Sequence, residues 1–154
     1  MKNESINFIF KTLCEKYGFH REKNSGVRKY TNLDLYVNLQ KSGNGQYFFI
    51  NSIILYPDLL DHQIDFNINE IFGIKSPFFP HVSFRIECLM KDDGIDQNLY
   101  DNLYSEKKWN DLNEALDKSF HRLIQYGESG EFDRGNIRNS MKNGVISAMI
   151  RKDV

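Results

Sequence analysis

Apolar positions near the start of the chain recur at three-and-four spacing: Ile6, Ile9, Phe10, Leu13 and Tyr17. That spacing lays them on one face of a helix over residues 3–17. Asn3 is placed to cap its start, and Gly18 to end it in the left-handed conformation. A hairpin is expected over residues 19–31, turning at Lys23 to Gly26, where Asn, Ser and Gly tolerate tight geometry. From Leu33 the period changes to two. Leu33, Leu35, Val37 and Leu39 alternate with Asp34, Tyr36, Asn38 and Gln40, as in a half-buried strand. The turn SGNG (Ser42 to Gly45) follows. Gln46 to Tyr56 is then apolar on both faces, which predicts a central strand covered at least partly on each side.

Pro57 ends that strand, and residues 58–80 lose their periodicity. All three prolines of the chain (Pro57, Pro77, Pro80) fall in or beside this stretch. A loop of that length inside a compact domain carries function or packs as a flap. Alternation returns from His81 to Met90, with Val82, Phe84, Ile86, Cys88 and Met90 on one side, predicting another strand; Lys91 to Gly94 then turns the chain. From Ser105, taken as a cap, the stripe Trp109, Leu112, Leu116, Phe120 and Leu123 predicts a helix stopping near Gly127. A last helix is expected over residues 137–151, burying Ile137, Met141, Val145, Ala148 and Met149. This order predicts an α+β fold. An antiparallel, meandering sheet carries the N-terminal helix and two C-terminal helices on one face, as a single domain over residues 1–154.

The 154 residues, 40% hydrophobic and 27% charged, describe a chain that buries a core without a disulfide or metal staple. There is no apolar run of membrane-spanning length, and the N-terminus makes a poor signal peptide; cytoplasmic residence is the expectation. Cys14 and Cys88, far apart and each in a regular pattern, read as buried free thiols. His20, His62, His81 and His121 are scattered without metal-ligand spacing, so no metal or cofactor is expected. No nucleophile elbow or phosphate-binding loop is present, and nothing in the sequence reads as an enzyme active site. Arg85 and Glu87, on one side of the strand pattern, suggest a cross-strand ion pair.

The near-neutral net charge hides an asymmetry. Residues 1–48 carry eight Lys/Arg against four Asp/Glu, and residues 58–117 five against thirteen. The acidic stretch disfavours nucleic acid and suits a basic protein. Its members are Asp92, Asp93, Asp96, Asp101, Glu106, Asp111, Glu114 and Asp117, with Tyr100, Tyr104 and Tyr56 as candidate aromatic anchors. The bland alternative is a solvated face, since Glu114 with Lys118 and Lys107 with Asp111 are spaced to neutralise each other along a helix. Gln40, Lys41, Ser42 and Asn51 form the most distinctive polar group. In a half-buried sheet Asn38, Gln40 and Asn51 serve either to hold loop backbone or to line a small-molecule pocket.

Gly18, Phe19, Asn38, Leu39, Gln40, Lys41, Ser42 and Asn51 together make a segment that resembles the bacterial group catalogued as domain of unknown function 4304. The group shows a helix ending in Gly-Phe, an N-L/F-Q-K/R-S strand and a following strand with an internal Asn. Arg85-Ile86 and Trp109 sit about where that group has comparable positions. The likeness spans roughly residues 6–56; the loop at 58–80 and the acidic stretch 92–117 have no counterpart in it. By analogy with small domains of this kind, the resemblance implies an immunity protein. Such a protein would occlude a basic toxin domain, and the charge asymmetry points to Asp92, Asp93, Asp96, Asp101, Glu106 and Asp111, with Tyr100 and Tyr104, as its docking face. The alternative expectation is a small-molecule or nucleotide-binding domain built around Gln40 and Asn51, beneath the loop at 58–80.

Overall fold

In a computed structural model the chain is described over residues 5–59, 68, 71–73, 81–152 and 154. Helix α1 (Ile6–Lys16) starts at Ser5, whose hydroxyl accepts the Phe8 N–H at 3.1 Å. Asn3, the expected cap, lies outside the described residues. The helix buries Ile6, Ile9, Phe10, Leu13 and Cys14, and Gly18 (φ +75°) terminates it while the Phe19 N–H reaches back to the Cys14 carbonyl. Tyr17 is only half-buried.

Strands β1 (His20–Glu22), β2 (Ser25–Lys29), β3 (Asp34–Lys41), β4 (Phe48–Leu55), β5 (Val82–Arg85) and β6 (Met149–Ile150) form one sheet in sequence order, with every neighbour antiparallel. Helices α2 (Gln97–Ser105), α3 (Trp109–Ser129) and α4 (Ile137–Lys142) lie between β5 and β6. The α+β architecture is as expected: a meander with α1 and the later helices sharing one core. Leu35, Val37, Leu39, Phe48, Ile50, Ile54, Val82 and Phe84 meet Ile9, Phe10 and Leu13 of α1 and Leu112, Leu116, Phe120 and Leu123 of α3. Phe120 is the hub, with its ring 6.0–6.3 Å from those of Phe10, Tyr17 and Phe19.

Four elements depart from expectation. The strand proposed for His81 to Met90 is extended only to Arg85. Residues Ile86–Leu89 then coil into a 3-10 turn, whose three-residue repeat buries Ile86 and Leu89 together and leaves Cys88 half-exposed. Helix α2 has no counterpart in the sequence reading. Ser105 is its last residue rather than the cap of the next helix, and Lys107 at φ +54° breaks the chain before α3. Helix α3 runs through Gly127 to Ser129 and stops at Gly130 (φ +89°). Tyr30 crosses so close to Gly127 that an added Cβ would sit 2.9 Å from its ring, which accounts for a glycine inside the helix. The final helix ends at Lys142, because Gly144 (φ +76°) turns the chain out to the sheet edge as β6. Ile137 and Ile146 are buried there; Met141, Val145 and Ala148 are only half-buried, and Met149 is 78% exposed.

Two buried polar contacts gather at the end of β4, one of them reaching the segment after α3. The Tyr56 hydroxyl donates to the Phe132 carbonyl at 2.7 Å, and the Tyr56 N–H donates to His81 Nδ1 at 2.8 Å, with the two rings stacked. Removing the hydroxyl leaves a buried carbonyl without its donor, a loss of about 1–3 kcal/mol. Tyr56→Phe is expected to lower the urea midpoint accordingly with an unchanged m-value; a midpoint equal to wild type would show that this bond contributes nothing net.

Candidate functional site

The face of the sheet opposite the helices is where polar chemistry gathers, and its layout follows from register. Even-numbered residues of β3 and odd-numbered residues of β4 and β5 point to this face. The pairings Ser25↔Asn38, Asn38↔Asn51 and Asn51↔Arg85 line up one row of polar side chains across four strands. The adjacent row is Val27, Tyr36, Ile53, Ser83 and Met149, mostly apolar. Val27, Tyr36, Ile53 and Leu55 bury Ile71 against them as a second, smaller core, with Ile68 and Phe72 packed at its side. Of the 58–80 stretch, expected to carry function or to pack as a flap, Ile68, Ile71 and Phe72 pack on this face, and most of the remainder lies outside the described residues.

Between the polar row and Ile71–Phe72 lies an open cleft of about 700 Å³. Asn38, Gln40, Asn51, Ser83 and Arg85 give it polar walls, while Ile53, Phe72, Cys88, Ala148 and Met149 give it apolar ones. Asn51 Nδ2 donates to Gln40 Oε1 at 2.9 Å, and Asn38 Nδ2 donates to Ser25 Oγ at 2.9 Å and to the Asn24 carbonyl at 3.2 Å. So Asn38 does hold loop backbone. Gln40 and Asn51 hold each other instead, and the Gln40 amide N–H groups have no protein partner among the described residues. Ser42 belongs to the hairpin turn, bonding Asn44 and the Tyr47 N–H, and lies outside the cleft with Lys41. The Arg85 guanidinium lies 4.0 Å from the centroid of the Phe49 ring. The expected Arg85–Glu87 ion pair does not form, because the chain leaves the strand after Arg85.

The acidic residues are largely occupied within the fold. Asp96 caps α2 by accepting the Leu99 N–H at 2.9 Å. Asp93 pairs with Arg122 at 3.0 Å, Glu106 with Lys108 at 2.9 Å and Asp117 with Lys16 at 2.7 Å. Burial works to raise the Asp117 carboxyl, but its hydrogen bonds from Lys16 and Tyr17 hold it below the usual range. Asp101 accepts from Gln97 at 2.8 Å. Asp92, Asp111 and Glu114 are exposed. Tyr100 and Tyr56 are buried, Tyr100 bonded to Ser119, so neither can anchor a partner. Their apolar rings belong to the core stripes that α2 and β4 turn inward. Tyr104 packs edge-on against Phe48 and Trp109 and remains half-exposed beside Tyr47 and Asp101, lining a hollow of about 530 Å³.

Both thiols are pushed toward the protonated form by burial, Cys14 to about 12 and Cys88 upward as well. That is opposite to what a nucleophile needs. No group of three His, Cys, Asp or Glu residues able to hold a metal occurs among the described residues. His81 is buried although its neighbours alternate as if it faced solvent, and Glu87 is half-buried. Burial raises the Glu87 carboxyl, aided by Asp101 and Asp96 and opposed by a backbone hydrogen bond and Arg85. Its buried Oε2 has no hydrogen-bond partner among the described residues.

No family model, curated protein or solved structure matches this chain. Among the described residues no helix is long and apolar enough to cross a membrane.

A raised carboxyl opposes folding once it ionises, so Glu87 costs stability above its folded pKa and ceases to do so as pH falls below its unfolded value. Glu87→Gln is expected to raise the melting temperature at about pH 7, with the advantage shrinking toward about pH 4. A pH-independent difference between the two proteins would show that ionisation of Glu87 is not its cause.

Proposed function

We propose that this chain works by binding, and that its ligand is a small organic molecule held in the cleft on the open face of the sheet. One observation carries the reading: register brings Asn38, Asn51 and Arg85 into a single row, with Gln40 alongside, at the polar edge of a cleft whose other side is apolar. A pocket of this size with an apolar lining and a few convergent polar groups is the usual form of a small-molecule site. The unactivated thiols support binding over turnover. The free cysteines support residence in a reducing compartment such as the cytoplasm. The test is a thermal-shift screen against a metabolite panel. A stabilising metabolite whose effect disappears in Gln40→Ala supports the cleft; at a concentration one hundred times Kd the stabilisation is about 2.7 kcal/mol. A panel with no stabilising member, or one whose hit is indifferent to Gln40, counts against it.

A second reading keeps the protein partner implied by the immunity analogy. What favours it is the separation of charge along the chain, together with the hollow where Tyr47, Tyr104 and Asp101 meet. The partner would be a basic domain, such as a toxin, drawn by long-range attraction that salt weakens. Reversing Asp93 or Asp96 would also remove an ion pair or a helix cap, so the informative change is the double variant Asp92→Lys, Asp111→Lys. A tagged pull-down from the native host should then recover a basic protein with wild type at low salt, lose it at high salt, and recover none with the double variant. Equal recovery by both proteins would remove the acidic stretch from the interface.

A further inference from the structure

Resting on the cleft reading, we infer that the ligand is an organic anion and that Arg85 is its anchor, taking a carboxylate or phosphate group on the edge of its guanidinium. Arg85 is the single charged side chain among the described residues that line the cleft. No carboxylate among the described residues lies within ion-pair distance of it. Glu87 feels its charge, yet forms no ion pair with it. Arg85 is exposed, so its five donors are accessible to a ligand that enters the cleft.

The Phe49 ring does the positioning. With the guanidinium carbon 4.0 Å from the ring centroid, the aromatic face supports the cation without consuming its N–H donors. Those donors form a planar fork that matches two oxygens of a carboxylate or phosphate. Holding the fork in advance removes part of the side-chain entropy that binding would otherwise cost. Gln40 and Asn51 line the same cleft, already locked to one another, and the Gln40 N–H groups add neutral donors. Away from the fork, Ile53, Phe72 and Met149 offer apolar surface, which suits an anion carried on a hydrocarbon or aromatic body rather than a bare inorganic ion.

The experiment is an NMR titration of the 15N-labelled chain with benzoate, phenyl phosphate and the neutral benzamide. The side-chain amides of Asn38, Gln40 and Asn51 and the Arg85 Nε–H report the site. At least one anion should shift these signals saturably, and benzamide should bind at least about tenfold more weakly. Response to benzoate alone identifies a carboxylate ligand, and response to phenyl phosphate alone a phosphate ester. Arg85→Gln should weaken the anion at least about tenfold, and Arg85→Lys, which keeps the charge but loses the fork, should fall between. Because Arg85 is exposed, both variants should keep the wild-type spectrum away from the cleft, which separates lost binding from lost fold. If benzamide binds as well as benzoate and Arg85→Gln changes neither, the anion anchor is wrong while the cleft stands. If neither anion shifts the site, the anchor is wrong as well, and the metabolite screen alone then decides whether the cleft binds anything.

Discussion

Pairing of β3 with β4 is the constraint on which the rest of the molecule depends. Eight consecutive residues of each strand face one another, from Asp34↔Leu55 to Lys41↔Phe48. This register sends Leu35, Val37, Leu39, Phe48, Ile50 and Ile54 under the helices and puts Asn38, Gln40 and Asn51 on the opposite face. A slip of one residue would exchange these sets, burying amides beneath α1 and α3 and exposing the core. The asymmetry between the faces is strong enough to fix the register without help from the turn. The hairpin turn adds a local restraint of its own, through Ser42, which bonds Asn44 and the Tyr47 N–H.

The helices then close one face around that fixed pair. Helix α3 supplies a continuous stripe, and Phe120 gathers the rings of α1 and the Gly18–Phe19 corner into the same core. The C-terminal segment is attached by few but buried bonds. Tyr56 at the end of β4 reaches Phe132, and the Arg151 N–H donates to the His81 carbonyl where β6 joins the edge. Much of the acidic charge between Asp92 and Asp117 serves this helical layer: Asp96 starts α2, Asp93 holds Arg122 of α3, and Asp117 receives Lys16 and Tyr17 of α1. Charge that looked like a face in the sequence is therefore divided among caps and cross-links, with Asp92, Asp111 and Glu114 left to solvent.

Legibility followed the length and purity of the periodic signal. Helix α1, strands β3 and β4 and the stripe of α3 were each readable because their buried residues repeat over several periods. Helix α2 was not, since NLYDNLY between two acidic flanks carries only Tyr100 as a buried residue and leaves Leu99, Leu103 and Tyr104 half-covered. The turn at Ile86–Leu89 was misread because Ile86, Cys88 and Met90 imitate strand alternation, whereas burial follows Ile86 and Leu89. His81 was misread for a related reason: its Nδ1 accepts the Tyr56 N–H, a contact 25 residues away that no local pattern encodes. For the site, the polar group around Gln40 and Asn51 was visible as a departure from apolar alternation. Its continuation to Arg85 was not, because it depends on which residues of β4 and β5 come opposite one another.

The cleft is the consequence of a change in character along one strand pair. On the open face, β3 passes from Tyr36 to Asn38 and Gln40, and β4 from Leu55 and Ile53 to Asn51. The apolar half finds its cover within the chain, from Ile71 and its neighbours Ile68 and Phe72. The polar half gains nothing from such cover, because burying amides and a guanidinium under apolar side chains without new hydrogen bonds would cost more than it returned. Among the described residues the cover consists of Ile68, Ile71 and Phe72, and a concavity lies where apolar and polar surfaces meet. A purely structural sheet face would have avoided the boundary by staying polar throughout or by pairing Arg85 with a carboxylate. The guanidinium is instead set against Phe49 with no ion-pair partner among the described residues, which places its donors beside the apolar surface that a bound molecule would cover.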